Sequence, residues 1–535
     1  MATLEELAEI AGGRLIRAHN PGLTISDIGL NAQALPAGGL FAGVPGLHVH
    51  GAQFADASPA AAVLTDHDGI EKITRDDLPL IIVDDVRSVL GPVSSAVYGH
   101  PSHDLTVIGI TGTAGKTTVS YMVESALLRQ GISTGLIGTT GTRINGEKIP
   151  STLTTPEAPN LQALFARMKK HGVSHVVMEV SSHAISLGRV AGTHFSVAGF
   201  TNLSQDHLDF HPTIEDYFQT KTRLFVQDSP LHADAAVICI DDHWGQRLAS
   251  ILPQPVTVAT TGCSEIDNAQ QHDTDIGANE SGIQPDAWAG RSLVLDSGIQ
   301  TAEIHGFGVD SVALHIPMPG RFNIANALVA IGLLVKVGMD PMDAIAGLST
   351  VTVPGRLERV DRGQDFMAVV DYAHKPGAIA AVLDTLRGHV RGRIAIVIGA
   401  GGDRDDSKRP VMGREAAMRS DLVIVTDDNP RSEDPESIRQ QVVAGVRGVL
   451  DQGKTGVCEG STDNRQSPVV REIGDRREAI RAAIQWAQPG DAVIIAGKGH
   501  ETGQLIGGIT YPFDDRVETR RWIDDKLKNS VEKTN

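Results

Sequence analysis

The segment from Val107 to Thr118, VIGITGTAGKTT, contains the residue types of a phosphate-binding loop. An apolar strand leads into a glycine-rich turn, and a helix follows. Glycines in the turn let successive backbone N–H groups point at phosphate oxygens, Lys116 can reach the outer phosphates, and the Thr117 hydroxyl can bind Mg²⁺. The strict motif has glycine six residues before the lysine, where this chain has Ile110. The shorter form GTAGKT still predicts a nucleotide site; the alternative is a strand–turn–helix without a ligand.

Further polar residues follow the neighbouring predicted strands. Glu179 ends the apolar strand HVVMEV, where a carboxylate could bind Mg²⁺; the alternative is a strand end at the surface. His207 follows the strand SVAGFTNL, and by itself such a histidine is more often structural. Asn323 starts an apolar helix, where its amide could read a base edge, although the sequence alone favours a helix cap.

The C-terminal third repeats this arrangement four times. The apolar strands FMAVVDYA, IAIVIGAG, DLVIVTDD and DAVIIAGK each end in a polar cluster, and open α/β sheets bind their ligands at such ends. The sequence therefore predicts four loops that converge on one sheet edge; solvated strand ends are the alternative. The clusters are Asp371, His374 and Lys375; Asp403, Arg404 and Asp405; Asp427, Asp428, Asn429 and Arg431; and Lys498, His500 and Glu501.

Alternating strands and helices predict an α/β protein, and 535 residues exceed one hydrophobic core. We expect three domains: a small N-terminal α/β domain over 1–101, a central P-loop domain with a mostly parallel sheet over 102–353, and a Rossmann-like domain over 354–535. The first domain either binds part of a substrate or is a structural cap. The segment Asn31–Gly51 is predicted to be rich in turns, and Gly262–Trp288 is predicted to be a loop or an irregular lead-in to a hairpin.

Composition excludes several classes of function. The net charge is −18 and the chain has no basic run, which argues against a nucleic-acid partner. The three cysteines lack metal-ligand spacing, which is typical of a reduced, cytoplasmic protein. No apolar run approaches the roughly 18 residues that span a bilayer.

Together these motifs resemble those of the Mur ligase family, the ATP-dependent amide-bond-forming enzymes of peptidoglycan synthesis. The resemblance extends over all three expected domains. It is carried by GTAGKTT, TTPEA, MEVSSHAISLGRV, FTNLSQDHLDFH, NIAN, PGRLE, DYAHKP, GAGGDRD, TDDNPR and AGKGHE.

The resemblance implies a reaction among small molecules, catalysed by a monomer with ATP and Mg²⁺. ATP would phosphorylate the side-chain carboxylate of D-glutamate in UDP-N-acetylmuramoyl-L-alanyl-D-glutamate. The amino group of meso-diaminopimelate would then attack the acyl phosphate and release phosphate.

The resemblance also implies a role for particular residues. The predicted ATP-binding residues are Gly112, Thr113, Ala114, Gly115, Lys116, Thr117, Thr118, Asn323, Arg356 and Asp371. The predicted catalytic residues are Lys116, Glu179, His207 and Lys221. Of these, Glu179 and His207 would serve Mg²⁺ together with Thr117, and Lys221, as a carbamate, would support a second Mg²⁺. An unmodified Lys221 would be a surface lysine. The predicted UDP-dipeptide residues are Leu30, Ala32, Thr154, Thr155, Ser181 and Arg189. The predicted diaminopimelate residues are Arg404, Asp428, Asn429, Pro430, Arg431, Gly497 and Glu501.

One position departs from the family, and another sets the expected substrate. Relatives often have a serine–arginine pair in the uridine site, whereas residues 30–33 here read LNAQ. Diaminopimelate differs from lysine by a distal carboxylate, which the Arg431 guanidinium can bind with two parallel hydrogen bonds.

The alternatives to a diaminopimelate-adding ligase are a lysine-adding ligase, a folylpolyglutamate-type synthetase and, from another class, a P-loop regulator without ligase activity.

Overall fold

The computed structural model describes residues 2–46, 48–149, 153–208, 210–260, 283–294, 299–451 and 467–532. Most of the predicted loop Gly262–Trp288 lies outside the described residues; its end forms part of a strand. The chain divides into two compact units, Met1–Ser292 with Ala302–His315 and Phe322–Val351, and Leu293–Thr301 with Ile316–Arg321 and Thr352–Asn535. The three domain boundaries expected from the sequence stay a prediction.

The first sheet has the order β1-β5-β4-β3-β2, and its strands are parallel except for β1. The segment predicted to be rich in turns also contains the fully buried strand β3, which the sequence did not predict. A strand buried on both faces shows no alternation of apolar and polar residues. The strands are β1 Arg14–Ile16, β2 Ile28–Gly29, β3 Leu40–Gly43, β4 Ala62–Thr65 and β5 Leu80–Ile82, and the helices are α1 Leu4–Ile10, α2 His67–Ile70 and α3 Val86–Val97.

The second sheet has the order β16-β15-β14-β13-β12-β11-β6-β10-β7-β8-β9. The pairings from β7 through β10, β6, β11, β12 and β13 to β14 are parallel, as predicted, and β8 and β9 add an antiparallel edge. The strands are β6 Thr106–Thr111, β7 Thr134–Gly138, β8 Gly141–Ile144, β9 Glu147–Ile149, β10 His175–Glu179, β11 Val197–Phe200, β12 Ala236–Cys239, β13 Val256–Ala259, β14 Ala287–Val294, β15 Gln300–Gly306 and β16 Val309–Ile316. The helices are α4 Lys116–Arg129, α5 Ala158–Lys170, α6 Ser182–Ser186, α7 Ile214–Thr222, α8 His243–Ile251, α9 Arg321–Lys336 and α10 Pro341–Gly347.

The position of β6 in this sheet determines where the first site forms. Its neighbours are β10 and β11, both parallel to it. The carboxyl ends of these three strands therefore lie side by side, and the glycine-rich turn follows the middle one.

The third sheet, in the second unit, has the order β17-β18-β22-β19-β20-β21. The four strands predicted to end in polar clusters are the parallel neighbours β18, β22, β19 and β20, and only β17 runs antiparallel. Apolar side chains fill both faces of the sheet. The strands are β17 Glu358–Arg359, β18 Met367–Asp371, β19 Ile394–Ile398, β20 Leu422–Val425, β21 Val469–Glu472 and β22 Ala492–Ala496. The helices are α11 Pro376–Arg387, α12 Lys408–Arg419, α13 Pro435–Asp451, α14 Arg476–Trp486 and α15 Asp515–Glu532.

A separate antiparallel hairpin, β23 Gly503–Ile506 and β24 Ile509–Pro512, follows the third sheet. Among the described residues, no helix is both long and apolar enough to cross a membrane.

Candidate nucleotide and amino-acid sites

The glycine-rich turn connects β6 to the N-terminus of α4, where backbone N–H groups and the helix dipole favour an anion. Gly115 is the N-cap of α4 with φ +87°, a left-handed conformation that suits glycine. The Lys116 ammonium folds back over the turn, with Nζ 2.8 Å from the carbonyl oxygen of Gly112 and 3.1 Å from that of Thr113. The turn thus has the form of a phosphate cradle with its lysine in place.

The segment after β11 supports this turn from the side. The amide of Asn202 accepts a hydrogen bond from the Ala114 N–H at 2.9 Å and donates one to the Ala114 carbonyl at 3.2 Å. The Thr201 hydroxyl donates to the same carbonyl at 2.6 Å. The sequence placed Asn202 in a polar cluster after a strand, where a site is expected, but it did not predict the contact with the P-loop.

Glu179 lies at the carboxyl end of β10, and only 1% of it is exposed. Its carboxylate accepts hydrogen bonds from the Thr117 hydroxyl at 3.0 Å and from the N–H and hydroxyl of Thr139 at 2.8 and 3.0 Å. The alternative of a surface strand end is therefore wrong. Thr139, which follows β7, was not predicted as a site residue.

Hydroxyl and carboxylate oxygens thus meet beside the phosphate cradle, and these are the ligands that Mg²⁺ prefers. His207 lies in the same unit, with Nε2 3.1 Å from the Asp206 carboxylate and its ring 4.9 Å from that of His183. In the described part of the chain, no group of three or more His, Cys, Asp or Glu side chains could hold a metal ion by itself.

Lys221 lies in the last turn of α7 and is 1% exposed, so the alternative of a surface lysine is wrong. Its ammonium donates to the carbonyl of Gly112 at 3.0 Å and to the hydroxyl of Thr111 at 3.3 Å. It also lies 4.5 Å from the centre of the Tyr217 ring. The side chain therefore ends directly against the phosphate cradle.

The four central residues predicted to bind the dipeptide lie together near the end of β10. The Thr155 hydroxyl donates to the last carbonyl of β10 at 2.9 Å, and the Ser181 hydroxyl caps α6. The Arg189 guanidinium pairs with Glu157 at 2.8 Å and lies 3.5 Å from the Thr155 carbonyl. The Thr154 hydroxyl contacts the threonine after β7 at 3.3 Å. Arg189 therefore already holds a carboxylate next to these hydroxyls.

Asn323 is the third residue of α9 rather than its cap, and it is buried. Its side-chain oxygen accepts a hydrogen bond from Asn326 at 3.3 Å. The oxygen of Asn326 lies 2.3 Å from where a Cβ atom on Gly115 would be, so this pair adjoins the phosphate cradle. The cap interpretation is wrong because α9 begins two residues earlier.

The two residues predicted in the first domain follow β2. Leu30 packs against the core of the first sheet, and Ala32 is buried in the turn after it. The structure records apolar packing for both, and a role in uridine binding stays a prediction.

The remaining predicted nucleotide residues belong to the second unit. Asp371, at the end of β18, is buried and accepts hydrogen bonds from the N–H groups of Leu357 and Ala373, both at 2.7 Å. Burial raises the pKa of this carboxyl, and the nearby Arg356 cation opposes the rise. The Arg356 guanidinium stacks 4.2 Å above the ring of Tyr372.

The loops after β20 and β22 meet around Lys498, which is fully buried. Its ammonium donates to the Asn429 side-chain oxygen at 2.8 Å and lies 3.2 Å from Asp428 and 3.5 Å from Glu501. The Asn429 amide donates to Glu501 at 2.9 Å. Burial raises the pKa of Glu501, the Asp428 charge adds to the rise, and Lys498 opposes it. Sequence reasoning placed Lys498 in a polar cluster but not in the amino-acid site.

The other residues predicted for the amino-acid site lie around this cluster. Arg431 has φ +55°, and its guanidinium donates to the Gly402 carbonyl. Gly497 packs against the Asp428 carboxylate, the Pro430 carbonyl packs against Gly402, and Arg404 is exposed. The structure therefore brings the predicted set into one region of the second unit, with Arg404 at its exposed edge.

The sheet order, the glycine-rich turn and the buried carboxylate beside it define a P-loop nucleotide-binding protein. Family models of the Mur ligase middle domain and of the Mur ligase glutamate ligase domain match residues 110–334 and 355–499. The chain belongs to the Mur ligase family.

Curated relatives match nearly the whole chain. The UDP-N-acetylmuramoyl-L-alanyl-D-glutamate–2,6-diaminopimelate ligase of Corynebacterium glutamicum is 53% identical over 95% of this chain and 93% of its own length. The ligase of the same name from Streptomyces coelicolor is 44% identical over 97% of this chain and 96% of its own length.

Solved structures give the same fold. A structure of a UDP-N-acetylmuramoyl-L-alanyl-D-glutamate–2,6-diaminopimelate ligase is 29% identical, covers 98% of this chain and 99% of its own, and has a TM-score of 0.65. Folylpolyglutamate synthase from Mycobacterium tuberculosis is 19% identical, covers 76% of this chain and 91% of its own, and has a TM-score of 0.57; this similarity concerns the fold alone.

Proposed function

We propose that this protein is the ATP-dependent ligase that joins meso-diaminopimelate to the side-chain carboxylate of D-glutamate in UDP-N-acetylmuramoyl-L-alanyl-D-glutamate. The observation that carries the proposal is the match, over nearly the full length, to relatives named for this reaction. The described site supports it, because it combines a phosphate cradle with a separate cluster of cationic, amide and carboxylate groups.

The first step is phosphoryl transfer from ATP to the substrate carboxylate. The N–H groups of residues 112–117 and the Lys116 ammonium would hold the phosphates, and Asn323 and Asn326 would adjoin the nucleotide. The carboxylate oxygen attacks the γ-phosphorus, the bond to the β–γ bridging oxygen breaks, and ADP leaves. Arg189 would exchange its ion pair with Glu157 for an anionic group of the muramoyl dipeptide.

The oxygen ligands Thr117 and Glu179, with His207, fit Mg²⁺, which would neutralise phosphate charge when bound. We propose that Lys221 is carbamylated. Its neutral amine would add to the carbon of CO₂ and lose one proton, and the resulting carboxylate would support a second Mg²⁺ ion. The position of Lys221 supports this proposal, because the buried side chain ends beside the turn that would hold the phosphates.

The second step is attack of an amino group of diaminopimelate on the acyl phosphate. The amine nitrogen bonds to the acyl carbon, a tetrahedral intermediate forms, and inorganic phosphate leaves as the amine loses a proton. Asp428, Asn429 and Glu501 would orient the amino acid's charged end, and Arg431 would bind its distal carboxylate.

ATP turnover tests the class of function. We expect phosphate release only when the dipeptide substrate and diaminopimelate are both present, with the ligated product identified by its mass. Phosphate release from ATP alone, with no product, would favour a P-loop regulator and contradict the proposal. The proposal also includes a cytoplasmic location and a monomeric state. Sedimentation at working concentration would test the monomeric state.

A further inference from the structure

The backbone of Arg431 is hydrogen-bonded to the hairpin β23–β24. Its N–H donates to the Leu505 carbonyl at 3.0 Å, and its own carbonyl accepts from the Gly507 N–H at 2.7 Å. These bonds make a parallel bridge between Arg431 and Ile506. Arg431 also has φ +55°, a conformation that is uncommon for residues other than glycine and that needs local support.

The same hairpin strand contacts the rest of the loop that ends in Arg431. The Leu505 N–H donates to the Asn429 side-chain oxygen at 2.9 Å, and the Gln504 amide donates to the Asp427 carbonyl at 3.4 Å. The buried Lys498 ammonium donates to the Gly503 carbonyl at 2.9 Å. Strand β23 therefore lies along residues 427–431, with a backbone bridge at Arg431 and side-chain hydrogen bonds at Asp427 and Asn429.

Two glycines in left-handed conformations close the hairpin. Gly507 has φ +56° and Gly508 has φ +81°, and Ile506 pairs with Ile509 across this two-residue turn. These angles match a type I′ turn, which admits glycine or asparagine and strains β-branched residues. No atom of the described residues lies within 4 Å of a Cβ added at either glycine, so a substitution there acts through the backbone.

We propose that the hairpin Gly503–Pro512 is a positioning element for substrate choice, and that its Gly507–Gly508 turn sets where Arg431 presents its guanidinium. The inference rests on the proposed diaminopimelate ligase activity. An isolated two-stranded hairpin is only marginally stable, so strain in the turn would loosen the pairing with residues 427–431. Loss of that pairing would leave the left-handed backbone at Arg431 unsupported.

The variant Gly507→Val tests the inference. Displacement of a binding group by about 1 Å can cost up to about 10²-fold. We therefore expect the preference for diaminopimelate over lysine, measured as the ratio of kcat/KM values, to fall at least about tenfold. The loss would lie in KM for diaminopimelate, with KM for ATP unchanged. Hydrogen exchange in the peptide containing residues 427–431 should accelerate at the same time.

Two further variants separate positioning from general damage. Gly507→Asn suits a left-handed turn residue and should retain the preference. Gly363→Val introduces the same residue at another glycine of the second unit with φ +88° and no described atom within 4 Å, and it should leave the preference unchanged. If Gly507→Val does not fold, Gly508→Ala imposes a milder strain on the same turn and should give a smaller loss of the same kind.

The outcomes distinguish the inference from the proposed function. A wild-type enzyme that ligates neither diamino acid would refute the proposed function. A wild-type enzyme that prefers diaminopimelate, together with a folded Gly507→Val variant of equal preference and equal hydrogen exchange, would refute the positioning role alone.

Discussion

Gly115 cannot become alanine without moving the nucleotide site, and the size of this effect follows from the structure. An added Cβ would lie 2.3 Å from the Asn326 side-chain oxygen. Ordinary contacts between non-bonded heavy atoms are about 3.5 Å, so the turn or Asn326 must shift by about 1 Å. The left-handed conformation of Gly115 adds about 1–2 kcal/mol of strain for any other residue.

A shift of this size in the phosphate cradle should weaken ATP binding by about 10²-fold in Gly115→Ala. The Kd of a non-hydrolysable ATP analogue, measured by titration calorimetry, is the appropriate quantity. The double variant Gly115→Ala/Asn326→Ala removes the clash. Gly115→Ala should therefore cost less ATP affinity in the Asn326→Ala background than in the wild type. The expected coupling is about 1 kcal/mol or more, and the backbone strain should remain.

The matched control is Gly131→Ala. Gly131 has φ +73° and no described atom within 4 Å of an added Cβ, so the variant carries similar strain without a collision. Its ATP affinity should equal that of the wild type. The reasoning would be refuted if Gly115→Ala bound the analogue normally, or if the double variant bound no better than additivity predicts.

Three further predictions concern buried charged groups. Burial raises the pKa of the Glu124 carboxyl to about 7, although the nearby Arg143 cation opposes the rise. The stability that comes from protonating Glu124 in the folded protein is therefore fully present below the unfolded pKa of about 4.5, and it is lost as the pH rises through 7. Over that range the free energy of unfolding of the wild type should fall by up to about 3 kcal/mol, and that of Glu124→Gln should not. Denaturant unfolding at a series of pH values measures this, and equal pH dependence in the two proteins would contradict the prediction. Lys221→Ala should lose turnover, with partial rescue by a small added carboxylic acid, and full activity would rule out the carbamate. Lys498→Met would leave the buried carboxylate of Asp428 and the partly buried one of Glu501 without their cation, so KM for diaminopimelate should rise at least about tenfold with KM for ATP unchanged. An unchanged KM for diaminopimelate would contradict the assigned contacts.

Local patterns were sufficient to predict much of the fold and part of the site. The P-loop is a contiguous strand–turn–helix, so its strand and helix could be predicted directly, and the structure has them at Thr106–Thr111 and Lys116–Arg129. The strand ending in Glu179 was equally clear. Glu179 lies beside Thr117 because their strands are parallel neighbours in the sheet. The alternation of strands and helices predicted a mostly parallel sheet but not the order of its strands.

Contacts between distant segments could not be predicted from local pattern. Lys221 ends a polar-looking helical segment, and its burial depends on packing against the P-loop more than 100 residues earlier in the chain. Lys498 similarly depends on a loop 69 residues away for its Asn429 contact. The hairpin after it was missed, although two glycines between apolar residues, Ile506-Gly507-Gly508-Ile509, are a recognised hairpin signal.

The most direct test of the central claim is the choice of amino acid by the purified enzyme. Phosphate release and product mass would be measured with UDP-N-acetylmuramoyl-L-alanyl-D-glutamate, ATP and either meso-diaminopimelate or L-lysine. The same assay would compare Arg431→Ala with Arg391→Ala, a change at an exposed arginine of the second unit. We expect a preference for diaminopimelate of about 10²-fold or more that only Arg431→Ala loses. Equal use of lysine by the wild type would contradict the role of Arg431, and no ligation of either amino acid would contradict the proposed reaction.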